Sequence, residues 1–333
     1  MILNILYIVV GIILVVWGAD KLTGGASDLA SRMGVPQIII GLTIVAIGTS
    51  MPEFSVSLLS ALNGSAGLAV GNVVGSNTFN TLLIVGAAAA VAPMEIQKST
   101  IRKDMPWTIL ASVFLFTLGA DGEISRLDAV VLIAALCAFM VITLQTARKG
   151  MKAAKNNNNE TTPHAGANGA DNSAPSENAL KKSTPVWLSI GFVIIGLACL
   201  IFGSQLFVNA ATSVAKTLHV SDAVIGLTIV AGGTSLPELA TSVVAAQKGR
   251  SGIAIGNVIG SNIMNILLIL GVTGTITPLS MQGITPIDFA TMGGSILILW
   301  LFTFTKYRVE RWEGWALLAL FAAYMAWLLA NAY

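Results

Sequence analysis

Two glutamates, Glu53 and Glu238, lie inside apolar stretches of the sequence, and each ends the same motif, Gly-Thr-Ser-x-Pro-Glu. A charge at the middle of a bilayer costs at least about 2.5–3.5 kcal/mol, so such carboxylates usually face a partner or a water-filled cavity. A buried structural pair with a satisfied partner is the alternative. We interpret both glutamates as functional groups.

The motif places further oxygen atoms beside each carboxylate. Thr49 and Ser50 precede Glu53 by four and three residues, so a helix brings the three side chains to one side. Pro52 has no N–H for the carbonyl of Gly48, and a freed carbonyl inside a membrane needs another partner. A bound cation or a neighbouring hydroxyl could serve. The second motif repeats this arrangement.

A second repeated motif, Gly-Asn-x-x-Gly-Ser-Asn, supplies amides and another hydroxyl. Asn72, Ser76 and Asn80 are spaced four apart and form one stripe of a helix. The paired glycines permit close backbone approach, and helix packing is the simple explanation for them. For the first asparagine of each stripe we favour interhelical hydrogen bonding over ion ligation. The equivalent stripe is Asn257, Ser261 and Asn265.

If the two halves converge, these oxygens surround one small volume. Hard cations prefer such a set, since Ca²⁺ takes about 6–8 oxygen ligands. Soft or nitrogen ligands are not offered: Cys137 and Cys199 lie in apolar spans, His164 in a polar linker and His219 at a span end. Two carboxylates neutralise one divalent ion or two monovalent ions, and competition between those loads is the physical basis for exchange.

Composition predicts an all-α membrane protein. Only 10% of the 333 residues are charged and 55% are apolar, whereas a soluble domain carries about 25% charged residues. Apolar segments long enough for a bilayer predict about ten transmembrane helices, near 2–22, 34–61, 68–92, 105–120, 127–148, 186–208, 220–246, 253–278, 286–305 and 313–332.

The sequence repeats itself at an offset of 185 residues. Residues 41–53 return as 226–238 with 11 of 13 positions identical, and residues 71–86 return as 256–271 with 11 of 16 identical. Each half, 1–148 and 185–333, contains five predicted spans. Because five is odd, the second half must enter the membrane from the opposite face, and inverted repeats of this kind are common in secondary transporters.

Charge placement predicts the orientation. With the N-terminus outside, 16 Lys and Arg residues fall on the cytoplasmic side and 2 on the outer side, as the positive-inside rule requires. Both termini are then outside, and the protein is a multi-pass protein of the cell (inner) membrane. The segment 149–184, rich in Asn, Ala, Ser, Pro and Gly, is predicted to be a disordered cytoplasmic linker.

The two motifs resemble the alpha repeats of the cation/calcium exchanger superfamily, particularly prokaryotic sodium/calcium exchangers. The resemblance covers both repeats and all ten predicted spans. It implies that Ca²⁺ and Na⁺ are transported without a cofactor. It also implies that ten side chains line the ion sites, namely Thr49, Ser50, Glu53, Ser76, Asn80, Thr234, Ser235, Glu238, Ser261 and Asn265. The backbone carbonyls of Ala46 and Ala231 are implied to contribute as well.

One departure from the family pattern concerns charge. Several exchangers that this chain resembles carry Asp at one of the positions occupied here by Asn80 and Asn265. With Asn at both, the site has one potential negative charge fewer, which leaves the ion stoichiometry and the counter-ion open. The linker 149–184 has no room for a large calcium-sensing domain.

Our leading hypothesis is a sodium/calcium antiporter that works by alternating access, with metal cations and the lipid bilayer as its partners and a monomer as the functional unit. Proton exchange and potassium co-transport are the nearest alternatives, and an uncoupled channel or a structural membrane protein are alternatives from other classes. An enzyme is not expected, since the sequence has no paired Asp, no His-Glu zinc motif and no Ser-His arrangement. The net charge of +2 gives no indication of nucleic-acid binding.

Overall fold

The computed structural model describes residues 2–159, 185–218 and 231–331, and these are almost entirely helical. In chain order the helices are α1 (Ile2–Met33), α2 (Gln37–Thr49), α3 (Met51–Leu62), α4 (Ala66–Val91), α5 (Met105–Leu118), α6 (Arg126–Asn159), α7 (Val186–Thr217), α8 (Ala231–Thr234), α9 (Leu236–Gln247), α10 (Ser251–Ile276), α11 (Pro286–Lys306) and α12 (Arg311–Asn331).

Seven of the described helices are long and apolar enough to cross a membrane, and the bent pair α2–α3 would make eight. The chain is therefore an all-helical membrane protein, as its composition predicts. Three predicted spans are not seen as single long helices. The span 34–61 is the bent pair α2–α3, and the span 220–246 falls partly outside the described residues. The span 105–120 corresponds to α5, which continues directly from a π-helical turn, Thr100–Asp104, that contains three charged residues.

Helices α4 and α10 occupy the centre of the molecule. In the most apolar stretch of α10, 94% of the residues are buried, and in that of α4 78%, against 22% for α1 and for α12. The two central helices also carry the polar stripes found in the sequence. A polar side chain facing lipid would have no hydrogen-bond partner, so these helices are stable only where protein surrounds them.

Helices α1 and α7 pack against each other in antiparallel orientation through glycines. A Cβ atom on Gly18 would lie 2.8 Å from the carbonyl oxygen of Gly196, and one on Gly196 would lie 2.6 Å from the backbone nitrogen of Leu22. Gly11 and Gly203 meet in the same way about two turns further along. Small residues of this kind let helix backbones approach closely in a membrane, where packing drives association.

Two short antiparallel ribbons join the halves of the chain. Strand β1 (Met94–Glu95) pairs with β4 (Arg308–Val309), and β2 (Glu123–Ile124) pairs with β3 (Leu279–Ser280). Adding 185 to β1 yields β3, and adding 185 to β2 yields β4. Each ribbon therefore joins the loop after the third predicted span of one half to the loop after the fourth predicted span of the other.

The predicted linker begins with helix. Helix α6 continues as far as Asn159, so the first residues of the segment 149–184 are helical rather than irregular. Residues 160–184, including His164, lie outside the described part of the chain, as do His219 and the residues before Ala231.

The close contact between α1 and α7 can be tested with one methyl group. Gly196→Ala places a Cβ atom against backbone, so we expect a loss of about 1–3 kcal/mol in stability. Gly191 lies on the same helix with nothing within 4 Å of its added Cβ, and Gly191→Ala should be neutral or slightly stabilising because Ala favours helix. Thermal unfolding of both purified variants in detergent, followed by tryptophan fluorescence, measures the difference. Equal melting temperatures would contradict the packing argument.

Candidate functional site

Each Gly-Thr-Ser-x-Pro-Glu motif breaks its helix at the serine. Helix α2 ends at Thr49 and bends by 45° into α3, with Ser50 at φ −81° and ψ 4°. Pro52 then lies in the first turn of α3, where a missing N–H removes no helical hydrogen bond. Ser235 has almost the same backbone angles, φ −86° and ψ 5°, between α8 and α9. As a result, both glutamates stand in the first turn of a new helix.

The two helix breaks meet, and each supports the carboxylate of the other. The Ser50 hydroxyl donates to Oε1 of Glu238 at 3.3 Å, and the Ser235 hydroxyl donates to Oε1 of Glu53 at 3.2 Å. Both glutamates are 1% exposed. The structure thus brings together, from opposite halves of the chain, the two side chains that the sequence singles out.

The first asparagine of each polar stripe holds the helix break in place. Asn72 donates to the backbone carbonyl of Glu53 at 3.1 Å and to the Ser57 hydroxyl at 2.9 Å. Asn257 repeats both contacts, with Glu238 at 3.4 Å and Ser242 at 3.1 Å. These are the interhelical hydrogen bonds expected from the sequence. Asn257 also accepts from the hydroxyl of a motif residue, Thr49, at 3.1 Å.

The last asparagine of each stripe bonds across the interface between α4 and α10. Asn80 donates to Oδ1 of Asn262, and Asn265 donates to Oδ1 of Asn77, both at 3.0 Å. Asn77 and Asn262 are further residues of the candidate site that were not predicted from the sequence. Both asparagines end the repeated Gly-Ser-Asn segment, and this repetition could have indicated them. They lie one residue after the serine of the helical stripe and so are not part of the stripe itself.

Five oxygen atoms of the predicted set are buried without a hydrogen-bond partner among the described residues. Leaving such an atom unpaired normally costs about 1–3 kcal/mol. Every one is a carboxylate, amide or hydroxyl oxygen, which are ligand types for hard cations such as Ca²⁺. The five are Glu53 Oε2, Glu238 Oε2, Asn80 Oδ1, Asn265 Oδ1 and Ser261 Oγ.

The other predicted site residues differ in burial and in the hydrogen bonds that they already make. Ser76 is buried, Thr234 is half-buried, and Ala231 begins α8. The carbonyl oxygen of Ala46 already accepts from the backbone nitrogen of Ser50 at 3.0 Å and from the hydroxyl of Thr49 at 3.4 Å. The Thr49 hydroxyl has one hydrogen, and Asn257 is its nearer acceptor. A ligand role for the Ala46 carbonyl would leave that hydrogen to Asn257 alone.

The two glutamates are the acidic groups of the candidate site. In the part of the chain that the structure describes, no group of three His, Cys, Asp or Glu side chains could hold a metal ion. The other oxygens around the two glutamates are neutral amides and hydroxyls, as named above.

A cavity of about 890 Å³ extends from the loop after β3 to the edge of the site, and its lining includes Ser60, Asn72, Thr234 and Gln282. The cavity that corresponds to it by the offset of 185 has a volume of about 400 Å³ and is lined by Glu95, Gln97, Gly249 and Gly252 among others. None of the predicted site residues lines the smaller cavity. The two faces of the molecule therefore give unequal access to the site.

Known proteins resemble this chain over nearly its whole length. Sodium/calcium exchanger MaX1 of Methanosarcina acetivorans is 34% identical, with 97% of each chain covered. Inner membrane protein YrbG of Escherichia coli is 37% identical, with 84% of this chain and 81% of its own covered. A structure of the sodium-calcium exchanger NCX_Mj, soaked with Na⁺ and Ca²⁺, superposes with a TM-score of 0.80 at 31% identity, covering 100% of this chain and 99% of that chain.

Paired carboxylates and neutral oxygens buried at the centre of a bundle of apolar helices define a membrane transporter of cations. The chain belongs to the family described as sodium/calcium exchanger protein, whose model matches residues 3–145 and 188–330. It is an antiporter of calcium and sodium and not an enzyme. The two matched ranges are themselves related by the offset of 185.

The buried asparagine contacts predict a measurable cost of substitution. Asn257→Ala removes the donor to the Ser242 hydroxyl and to the backbone carbonyl of Glu238, while the Thr49 hydroxyl keeps the carbonyl of Ala46 as an acceptor. We expect a loss of about 1–3 kcal/mol for each buried group left unpaired. Asn63, at the exposed end of α3, provides the control Asn63→Ala, which should change stability little. Thermal unfolding in calcium-free detergent compares the two, and an unchanged melting temperature for Asn257→Ala would contradict the assigned contacts.

Proposed function

We propose that calcium and sodium compete for one site built around Glu53 and Glu238, and that this competition couples the two ion fluxes. The observation that carries the proposal is the group of five buried oxygens without hydrogen-bond partners. All five belong to residues predicted from the sequence, and they come from both halves of the chain. Thr49, Ser50, Ser76, Thr234 and Ser235 complete the proposed ligand shell.

Charge balance explains why a cation would bind. The ion pairs found between described residues involve Asp20 and Glu310 rather than Glu53 or Glu238. Two buried carboxylates are costly at this depth unless a positive charge accompanies them. One Ca²⁺ or two Na⁺ would supply that charge, so binding of one load displaces the other.

The relatives support this choice of ions. MaX1 is named a sodium/calcium exchanger, and NCX_Mj is a sodium-calcium exchanger whose structure was solved after soaking with both ions. We infer that the same two ions occupy the proposed site, in preference to proton exchange or potassium co-transport.

We further propose that two five-span halves, 1–148 and 185–333, lie in opposite orientations and are joined by the cytoplasmic segment 149–184. The ribbons support this arrangement. Parallel repeats would keep equivalent loops on the same face, whereas the ribbons pair the loop after the third span with the loop after the fourth. Inversion brings those two loops to one side of the membrane, and it makes ten spans in all.

The positive-inside rule then orients the molecule. We propose that both termini lie outside and that the segment 149–184 is cytoplasmic, because this orientation leaves 16 cationic residues inside and 2 outside. The similarity to an inner membrane protein of Escherichia coli supports the same membrane for this chain. A monomer suffices as the transporting unit, since both glutamates come from one chain.

Alternating access follows from the unequal cavities. The larger cavity opens beside β3, on the face that the orientation above makes external, and it extends to Asn72 and Thr234. We propose that the chain is in an outward-facing state and that α1 and α7 shift together to open the other side. Their close glycine contacts suit a pair that moves as one body.

Neutralising either glutamate should abolish exchange. In Glu53→Gln and Glu238→Gln the site loses half of its charge, and we expect calcium transport to fall by on the order of 100-fold or more, beyond the 10–100-fold typical of outer-shell changes. Uptake of radioactive Ca²⁺ into proteoliposomes loaded with Na⁺ measures this. Glu123→Gln, at an exposed position of strand β2, is the matched control and should transport normally. Normal uptake by both site variants would defeat the assignment.

The counter-ion can be identified from gradients alone. We expect an outward Na⁺ gradient to drive Ca²⁺ uptake into proteoliposomes, and we expect a pH gradient of the same size without Na⁺ to drive none. The control is the same vesicles without protein. Calcium uptake that follows the pH gradient and ignores Na⁺ would identify a calcium/proton exchanger instead.

A further inference from the structure

The side-chain amides of Asn80 and Asn265 are held in one orientation by their neighbours. An asparagine amide has a donor end and an acceptor end, and only the acceptor oxygen can bind a cation. Rotation of either amide by half a turn would aim two N–H groups at the ion in place of the oxygen. Whatever controls this rotation therefore controls ion affinity at the proposed site.

Asn77 controls the amide of Asn265. The Nδ2 group of Asn77 donates to the backbone carbonyl of Asn262 at 3.2 Å, and a carbonyl can only accept. This contact forces Oδ1 of Asn77 to face the other way, where it accepts from Nδ2 of Asn265 at 3.0 Å. Oδ1 of Asn265 therefore lies on the side of the amide away from Asn77, and it is one of the unpaired buried oxygens.

Asn262 controls the amide of Asn80 by the same logic. The hydroxyl of Thr81 donates its hydrogen to the carbonyl of Asn77 at 3.0 Å, so its oxygen is left to accept from Nδ2 of Asn262 at 2.9 Å. Oδ1 of Asn262 then faces Nδ2 of Asn80 at 3.0 Å. Oδ1 of Asn80 likewise lies on the side of the amide away from Asn262 and is unpaired. Both controlling asparagines are buried, at 0% and 2% exposed.

We propose that Asn77 and Asn262 are positioning residues of the exchanger, each of which turns the amide oxygen of a ligand from the opposite half toward the ion. This inference rests on the proposed function of the site and adds residues to it. Because Asn77 contacts Asn265 and Asn262 contacts Asn80, each half of the chain orients a ligand contributed by the other.

The same contacts give a physical reason for asparagine at position 265. The group there faces the acceptor oxygen of Asn77, whose own orientation is set by a backbone carbonyl. Asparagine supplies the N–H that this oxygen needs, whereas an ionised aspartate has no donor and would place two oxygens against each other. The neutral side chain at position 265 is thus required by its hydrogen bond to Asn77.

Double-mutant cycles test the crosswise pairing. Equilibrium binding of radioactive Ca²⁺ to purified protein in Na⁺-free detergent is measured for alanine variants of the four asparagines. It is also measured for the four double variants that combine Asn77→Ala or Asn262→Ala with Asn80→Ala or Asn265→Ala. We expect Asn77→Ala to weaken binding roughly 10- to 100-fold and to have no further effect once Asn265 is alanine. Combined with Asn80→Ala, it should instead multiply the two single effects. Asn262→Ala should show the opposite pattern, coupled to Asn80 and independent of Asn265.

Purely structural asparagines would lower the melting temperature in calcium-free buffer without producing the crosswise pattern. Multiplicative effects in all four pairs, or normal affinity in Asn77→Ala, would overturn the proposal. If an alanine variant does not fold, Thr81→Val preserves shape and removes the acceptor for Asn262. It should weaken binding only while Asn80 is present, and an equal effect in the Asn80→Ala background would overturn the proposal.

The glutamate variants distinguish a failure of this inference from a failure of the proposed ion site on which it rests. Loss of calcium binding in Glu53→Gln and Glu238→Gln with multiplicative asparagine cycles would reject the positioning role alone. Normal calcium binding in both glutamate variants would reject the ion site itself.

Discussion

Two carboxylates buried in a low-dielectric interior are the constraint on which the rest of this structure depends. Neither can be left facing lipid, so the helices that carry and surround them must lie inside the protein. Helices α4 and α10 are accordingly the most buried, although they carry amides and hydroxyls in their central turns. Apolar residues fill the remainder of the buried core and also cover the periphery, where α1, α6, α7 and α12 expose them to lipid. The protein therefore combines a partly polar centre with an apolar outer surface.

Asn72 and Asn257 bond within their own halves, but other polar groups at the centre are paired between the halves of the chain. Ser50 supports Glu238 and Ser235 supports Glu53, and the amide contacts of α4 with α10 cross in the same way. Neither half could make these contacts alone, because each of them joins one half to the other. A relative shift of the halves would therefore alter all of these crosswise contacts at once, which suits a site that must release its load.

The repeated motifs carry much of the local geometry as well as the chemistry. Pro52 and Pro237 each follow a serine by two residues, and the helix breaks at that serine in both halves with nearly equal backbone angles. The missing N–H of proline removes no hydrogen bond in the first turn of a helix, and a helix begins there in both halves. The motif therefore marks the position of the break, whereas the bend of 45° depends on how α2 and α3 pack against neighbouring helices.

The sequence by itself determined the membrane class, the repeat, the two glutamates and the oxygen chemistry around them, because composition, spacing and residue type are local properties. It did not determine which groups pair across the repeats. Asn77 and Asn262 lie off the helical stripe that marks Ser76 and Asn80, and they become part of the candidate site only because α4 and α10 cross closely with π-helical turns beginning at Phe79 and Asn265. Which oxygens remain unpaired was likewise decided by tertiary structure, since a hydrogen bond between residues nearly 190 positions apart depends on packing and not on sequence spacing.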